Sequence, residues 1–178
     1  ILSNTNLSGA DLSGVDLRNK DLTGSNLTGV DLRHIDLTGA NLTGVNLSNQ
    51  DLTGTKLSDG ANLNYTNLSG ADLSGVDLRH KNLTGTNLTG VDLSHIDLTG
   101  SHLIGVDLSN RDLSRTILNS NLAGADLSNT NLSGVDLSNT NLSGAILTYA
   151  NLSAANLYGV DLSNKDLTGT ILTYANLS

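Results

Sequence analysis

The fold of this chain is decided by stretches such as Val30-Asp31-Leu32-Arg33-His34-Ile35-Asp36-Leu37-Thr38-Gly39-Ala40-Asn41-Leu42-Thr43-Gly44, in which leucine returns at every fifth residue. The spacing holds in three blocks of twelve, Leu2–Leu57, Leu63–Leu118 and Leu122–Leu177, which gives 36 pentads. A five-residue spacing smears leucines around an α-helix and sends them alternately to the two faces of a straight strand. Because neither element buries them all, the chain must bend once in every pentad.

The other pentad positions indicate where the bend lies. The residue two before the leucine is usually Ala, Val, Thr or Ser, and strand alternation puts it on the same inward side. The residue before the leucine is almost always Asp or Asn, the residue after it is mostly Ser or Thr, and the next is mostly Gly or Asn. Gly and Asn tolerate the positive φ of a turn. These last three positions should therefore face water or close a corner.

Pentads such as Ala10-Asp11-Leu12-Ser13-Gly14 and Ala40-Asn41-Leu42-Thr43-Gly44 resemble the A(D/N)Lxx motif of pentapeptide-repeat proteins. The resemblance covers essentially the whole chain. It implies an all-β fold, a right-handed quadrilateral β-helix (a solenoid) with four pentapeptides per coil and about nine coils. A 15-residue super-repeat, visible in residues 30–44, would also suit three pentads per coil. The residues alone leave that triangular coil open, whereas the resemblance favours four sides.

We expect one solenoid domain at residues 1–178, and we expect it to be a fragment of a longer protein because it starts at Ile1 instead of Met. One residue is inserted near Ser58-Asp59-Gly60-Ala61, and one is deleted between Leu118 and Leu122. Each irregularity follows a multiple of twelve pentads, so both should lie on the same corner. Neither terminus offers a capping helix, which predicts open strand edges and end-to-end self-association.

Composition argues against several classes of function. The formal charge is −8, with 17 acidic residues against nine Lys plus Arg. Such a surface disfavours nucleic acid and anionic membranes and would attract a basic protein partner, whose identity the sequence does not give. The longest apolar run, Ala145-Ile146-Leu147, is far too short for a signal peptide or a membrane span, which favours a cytoplasmic location.

Catalytic and metal-binding constellations are missing from the residue pattern. In a four-sided coil no two of the histidines stack in adjacent coils; these are His34, His80, His95 and His102. The many serines lack a base and an orienting partner, and no GxxxxGK[ST] phosphate loop occurs. We therefore predict that the chain is not an enzyme and takes no metal or cofactor.

Four cations occupy the inward position two before the leucine: Lys20, Lys81, Arg111 and Lys165. Each follows Asn or His in place of the usual Gly, at Asn19, His80, Asn110 and Asn164. Burying an unpaired charge would cost several kcal/mol. We expect either that the side chain extends past the corner to water or that a second corner geometry turns it outward.

If each coil has four pentads, the residues before the leucines can be assigned to four faces. Two of these faces are rich in Asp, and another begins with Asn. The candidate interaction wall comprises Asp11, Asp31, Asp51, Asp72, Asp92 and Asp112 on one face and Asp16, Asp36, Asp77 and Asp97 on the next. Another face begins with Asn6, Asn26, Asn46, Asn67 and Asn87. Five cations map to the acidic faces and should neutralise part of the field: Arg18, Arg33, Arg79, Arg115 and Lys56. The alternative interpretation is a solvated wall laced with ion pairs.

These observations predict a non-catalytic structural or protein-interaction module that presents a rigid, partly acidic outer wall. The resemblance also implies an alternative, a DNA-mimicking inhibitor of a DNA-binding enzyme, because some pentapeptide-repeat proteins protect DNA gyrase from quinolones. Against it, this chain has Leu at every centre where those relatives mix in Phe, and it lacks a terminal dimerising helix. A third hypothesis, ice or mineral binding, conflicts with stacked charges.

Overall fold

The computed structural model describes residues 2–58 and 60–178, so Ile1 and the inserted Asp59 lie outside the described part. A regular pentad contains one tight turn, in which the leucine carbonyl accepts the N–H three residues on, as from Ala10 to Leu7 at 2.9 Å. The third turn residue has positive φ, for example 68° at Gly44 and 56° at Asn49. Residues with a bulky Cβ rarely adopt this conformation, which explains why Gly and Asn occupy the position.

Successive coils are held together by parallel backbone pairing. Leu22 donates to the carbonyl of Asn41 at 2.9 Å, Gly24 donates to Thr43 at 3.0 Å, and Asn41 donates back to Lys20 at 2.9 Å. Straight segments between turns are so short that the pairing consists of isolated bridges in place of longer strands. These run from Asn6↔Asn26 to Asn67↔Asn87 and from Asp97↔Ile117 to Asn156↔Asn176.

The bridge spacing decides how many pentads form one coil. Bridged residues are 20 apart in the regular stretches, as in Asn26↔Asn46 and Asn131↔Asn151, which corresponds to four pentads. A three-pentad coil would have paired residues 15 apart, so the triangular alternative does not describe the bridged residues. The right hand and the total of nine coils stay expectations from the resemblance.

The chain divides into two compact units, Ile1–Asp92 and Leu93–Ser178, here called the N-terminal unit and the C-terminal unit. In each of them the described residues form stacked turns, and none of the described residues belongs to an α-helix. It follows that no helix long and apolar enough to cross a bilayer is found among residues 2–58 and 60–178.

The core of each unit is a column of leucines, most of them 0–3% exposed. Inward Val and Ala fill the space beside them, as predicted. Many inward Ser and Thr are buried as well, because their hydroxyls donate to leucine carbonyls of the preceding coil; Thr55 reaches Leu32 at 2.8 Å and Thr86 reaches Leu63 at 2.8 Å. A satisfied hydroxyl can lie inside a leucine core at little cost.

The inserted and deleted residues change the bridge spacing locally. Pairs across the insertion are 21 apart, as in Asn41↔Asn62, and pairs across the deletion are 19 apart, as in His102↔Asn121. The outer ladder therefore absorbs either change without losing its pairing. Because the two irregularities belong to different units, their placement on one corner stays a prediction.

The deletion leaves one buried hydroxyl without a partner. By the pattern of its neighbours, Thr140 would donate to the carbonyl of Leu118, but the turn after Leu118 is one residue short. Among the described residues the Oγ1 atom of Thr140 has no hydrogen-bond partner, although Thr140 is only 6% exposed. Two pentads earlier in sequence, Thr130 Oγ1 keeps the usual bond, to the Leu108 carbonyl at 3.1 Å.

Candidate interaction face

The residue before each leucine points outward and is fixed by its own turn. Its Oδ1 accepts the backbone N–H two residues on, for example from Ser13 to Asp11, from Thr53 to Asp51 and from Ser74 to Asp72, each at 2.9 Å. Either Asp or Asn supplies this oxygen, which explains why the position takes both. The carboxylates are therefore held in place by the fold and do not depend on one another for their orientation.

In the N-terminal unit the first of the two acidic faces carries a column of five carboxylates. This acidic column consists of Asp11, Asp31, Asp51, Asp72 and Asp92. Asp11 and Asp31 line one small cleft with Arg33, and Asp51 forms a parallel bridge with Asp72. The one arginine in these pentads is Arg33, which binds Asp31 through two bonds of 2.9 and 2.7 Å.

The second acidic face of the N-terminal unit is balanced by cations. Arg18 binds Asp16 through bonds of 2.8 and 2.9 Å, and Arg79 binds Asp77 through bonds of 2.9 and 2.8 Å. Lys56 takes the position before leucine and bridges to Asp36. Two of these carboxylates are thus paired with arginines, and Lys56 is the neighbour of the third in the backbone ladder. The partial neutralisation expected from the sequence therefore falls mainly on this face.

The two remaining wall carboxylates, Asp97 and Asp112, lie in the C-terminal unit, and neither is bridged to a carboxylate of the following coil. Asp97 is bridged to Ile117, and Asp112 is bridged to Asn131, whose Nδ2 donates to Asp112 Oδ1 at 3.0 Å. Backbone bonds from Thr99 and Ser114 hold their carboxylates as elsewhere. Within this unit the wall carboxylates therefore do not stack on one another. The acidic column is confined to the N-terminal unit.

Local hydrogen bonds stabilise the charged form of these carboxylates. The side chains of Arg18, Arg33 and Arg79 lower the pKa of Asp16, Asp31 and Asp77 to about 2. Bonds from Thr53 lower the pKa of Asp51, and repulsion from Asp31 is the weakest of the influences on it. At Asp51 the turn bonds therefore outweigh the repulsion from Asp31.

We expect stability to fall in acid as a result. Carboxylates with a lowered folded pKa contribute stability that is fully present above their unfolded pKa of about 4 and is lost as pH falls toward about 2. Urea midpoints measured from pH 7 to pH 2 should drop mainly below pH 4. A variant with Arg18, Arg33 and Arg79 changed to Gln should drop less steeply, and a wild-type midpoint that rises on acidification would contradict the assignment.

Asparagine in the same position forms ladders that the sequence analysis missed. Asn67 Nδ2 donates to Asn46 Oδ1 at 3.0 Å, and Asn151 Nδ2 donates to Asn131 Oδ1 at 3.2 Å. Asn carries both a donor and an acceptor whereas ionised Asp carries acceptors alone, so a run of Asn at this position is the signal that could have revealed the ladder.

The ladder predicts opposite effects for two matched substitutions. Asp72→Asn would add a donor toward Asp51 Oδ1, with Asn131 above Asp112 as the precedent, and should raise stability by a few tenths of a kcal/mol. Asn67→Asp would remove the bond to Asn46 and should lower stability by a similar amount. Urea denaturation of both variants against the wild type checks the pair, and equal shifts of the same sign would contradict the ladder.

The four inward cations behave differently from one another. Lys20 is exposed, Arg111 and Lys165 are half-buried, and Lys81 is 7% exposed with its Nζ donating to the carbonyl of Arg79 at 3.1 Å. The corner residue before each cation has a left-handed backbone conformation, with φ of 56–58° compared with 63–83° at the glycine corners. The second corner geometry predicted from the sequence is therefore a small variation of the usual turn.

The histidines are spread over corners and wall, as their pentad numbers predicted. His34, His80 and His95 occupy left-handed corners, and His102 lies before a leucine, bridged to Asn121. Within residues 2–58 and 60–178 no group of three His, Asp, Glu or Cys side chains could hold a metal ion.

The family model for pentapeptide repeats matches the chain in eight copies, over residues 1–39, 21–59, 40–79, 82–119, 120–157 and 150–178. The chain belongs to the pentapeptide-repeat family. Among solved structures of this family, HetL from the cyanobacterium Nostoc sp. strain PCC 7120, a protein involved in heterocyst differentiation regulation, is 36% identical to it. That match covers 98% of this chain and 73% of HetL, with a TM-score of 0.42.

Two further members of the pentapeptide-repeat family are more distant in sequence. Trypsin-treated QnrB1, a plasmid-mediated fluoroquinolone resistance protein, is 20% identical, with 95% of this chain and 79% of QnrB1 covered and a TM-score of 0.52. A pentapeptide-repeat protein from the Arabidopsis thaliana thylakoid lumen is 27% identical, with 71% and 68% covered and a TM-score of 0.29. No curated protein matches the chain. At this identity the similarity to QnrB1 is one of fold alone.

Proposed function

We propose that the chain is a non-catalytic protein-interaction module and that the acidic column binds a partner with a basic surface. The observation that carries this proposal is the contrast within the N-terminal unit, where the pentads of the five column carboxylates contain one arginine whereas the neighbouring face has two arginine–carboxylate pairs and Lys56. Turn bonds hold the carboxylates of Asp11, Asp51 and Asp72 in place. A basic partner would therefore meet preformed charges and would not have to order them.

The chemistry of the interior supports a non-catalytic role. Inward hydroxyls such as those of Thr66 and Thr116 donate to leucine carbonyls at 2.9 Å and are buried. A hydroxyl committed in this way is not poised as a nucleophile, which would need an adjacent base. Turn hydrogen bonds lower the pKa of column carboxylates such as Asp11 and Asp51, which favours a charged group for recognition over a general acid.

The charge density of the column favours a basic protein surface over the DNA-mimicking alternative. Neighbouring carboxylates repeat at the strand spacing of about 4.8 Å. Double-stranded DNA carries one charge per about 1.7 Å of its axis, so the column supplies well under half of that density. A supercoiling assay checks the alternative, since micromolar protein that inhibits DNA gyrase would favour DNA mimicry.

The experiment compares capture of proteins from native cell extract by the wild-type chain and two matched variants. The column variant carries Asp51→Asn, Asp72→Asn and Asp92→Asn, and the control variant carries Asp107→Asn, Asp136→Asn and Asp161→Asn. Both variants lose three charges and keep the turn oxygen, so they differ only in where the charge is removed. We expect the column variant to lose a partner that the control retains. Equal capture by all three chains would refute the proposed surface.

A further inference from the structure

The shortened turn after Leu118 lies beside a cleft in the C-terminal unit. A regular pentad has a corner residue two positions after its leucine and one before the next inward residue, and the corner residue before Ser120 is missing. The cleft at this point has a volume of about 310 Å³. It is lined by residues 100–102, 119–121 and 139–141, which belong to three successive coils. The one-residue deletion therefore coincides with a concave site in the middle of the chain.

The backbone ladder is interrupted across this cleft. One coil earlier, the Asn121 N–H donates to the Ser101 carbonyl at 3.0 Å. The equivalent bond from Asn141 to Ser120 is missing, so in the described part of the chain the Asn141 N–H has no acceptor and the Ser120 carbonyl has no donor. The Ser120 N–H also has no acceptor among those residues, because the shortened turn leaves it two residues from Leu118 instead of three. The cleft thus presents two donors and one acceptor that regular pentads pair within the ladder.

Thr140 adds a buried hydroxyl to the same cleft. Thr140 is 6% exposed, and its Oγ1 atom has no hydrogen-bond partner among the residues that the structure describes. Buried polar groups nearly always have a partner, so one without a partner at a polar cleft indicates a group that a ligand could satisfy. Together with the interrupted ladder, Thr140 gives the cleft a set of groups that can both donate and accept.

The chemistry of these groups identifies the kind of ligand. The described residues that line the cleft include no acid, lysine or arginine, which favours a neutral ligand over an ion. A primary carboxamide carries two N–H donors and a carbonyl with two acceptor sites. It also resembles in size and composition the peptide unit that the missing corner residue would have supplied. We propose that this cleft binds a primary carboxamide, the group present in glutamine and asparagine side chains and in small free amides.

In the proposed arrangement the ligand replaces the missing rung of the ladder. Its carbonyl accepts the N–H groups of Ser120 and Asn141, and its amide nitrogen donates to the Ser120 carbonyl and to Thr140 Oγ1. The fold already recognises carboxamides in its own ladders, where Asn67 Nδ2 donates to Asn46 Oδ1 at 3.0 Å. The ligand would therefore extend a type of contact that the chain makes elsewhere.

Chemical-shift titration of the isotope-labelled chain tests the ligand class. Acetamide should shift the backbone amide signals of Ser120 and Asn141 in a saturable way. N,N-dimethylacetamide cannot donate and acetate is charged, so both should bind more weakly than acetamide by roughly tenfold or more. Equal shifts with the three probes, or acetamide shifts that are no larger at Ser120 and Asn141 than elsewhere, overturn the proposal.

A capped glutamine distinguishes the two sources of this group. N-acetyl-glutamine methylamide carries a primary carboxamide in its side chain and is titrated beside acetamide. Tighter binding of the capped glutamine assigns the cleft to a side chain of a partner protein, and tighter binding of acetamide assigns it to a small free amide. Either result supports carboxamide recognition, and the failure of both to bind overturns it.

Two changes to the chain separate binding from folding. A glycine inserted between Asn119 and Ser120 restores the regular turn, so it should abolish acetamide binding while circular dichroism shows a folded chain. Thr140→Val should weaken binding by roughly tenfold because it removes a group that the ligand uses. Thr130→Val is the matched control, since Thr130 is bonded to the Leu108 carbonyl and lies outside the cleft. Binding that survives the insertion, or equal effects of the two valine variants, overturns the proposal.

Discussion

Leu68→Ala should lower the free energy of unfolding by about 2–5 kcal/mol, the usual cost of emptying a fully buried leucine site. Leu68 is 0% exposed, and its backbone is tied to the next coil by a 2.9 Å bond to Asn87. In a stacked fold each coil gains its stability from its neighbours, so a cavity in one coil weakens the contacts on both sides. Urea denaturation followed by circular dichroism measures the change.

Leu177→Ala supplies the matched control for this substitution. The same side chain is 58% exposed in the last coil, so its truncation leaves no enclosed cavity and should cost less than about 1 kcal/mol. If the two variants lost equal stability, the leucine column would not be the source of the core energy.

Thr140→Val should raise stability by about 1 kcal/mol, whereas Thr130→Val should lower it by about 1 kcal/mol. The two threonines are almost equally buried, at 6% and 1% exposed. Thr130 donates to the Leu108 carbonyl, and Thr140 has no partner because of the one-residue deletion after Leu118. Removing an unsatisfied buried hydroxyl relieves a desolvation cost, and removing a bonded one leaves a carbonyl without its donor.

Thermal and urea unfolding of the two valine variants, measured side by side, would separate these cases. Both substitutions keep side-chain volume nearly constant, so packing does not obscure the comparison. A loss of stability in Thr140→Val equal to that in Thr130→Val would show that Thr140 has a partner, most simply the Leu118 carbonyl.

The sequence predicted the pentad turn, the inward and outward positions and the family because each depends on one five-residue unit. Gly44 and Asn49 show the reason, since a positive φ restricts the residue type wherever the chain turns. The number of pentads per coil depended on long-range pairing such as Asn26↔Asn46, and the residues alone left three or four open. The family resemblance favoured four pentads per coil, which is the spacing that the bridged residues have.

The site was harder to predict than the fold because its charge balance depends on which cation meets which carboxylate. Sequence positions placed Arg18 and Arg79 near the acidic faces, but the bidentate pairs to Asp16 and Asp77 became evident only from side-chain geometry. The pentads of Asp51 and Asp72 contain no arginine. The acidic column thus emerged from a broader wall of ten carboxylates.

The most direct test of the acidic column is the salt dependence of binding to the partner recovered by the wild-type chain. Dissociation constants measured between about 50 and 300 mM salt should rise with ionic strength for the wild type and for the control variant in the C-terminal unit. The column variant should bind several-fold to about tenfold more weakly at low salt, with a shallower salt dependence. Identical constants and slopes for all three chains would contradict the proposal that this column recognises the partner.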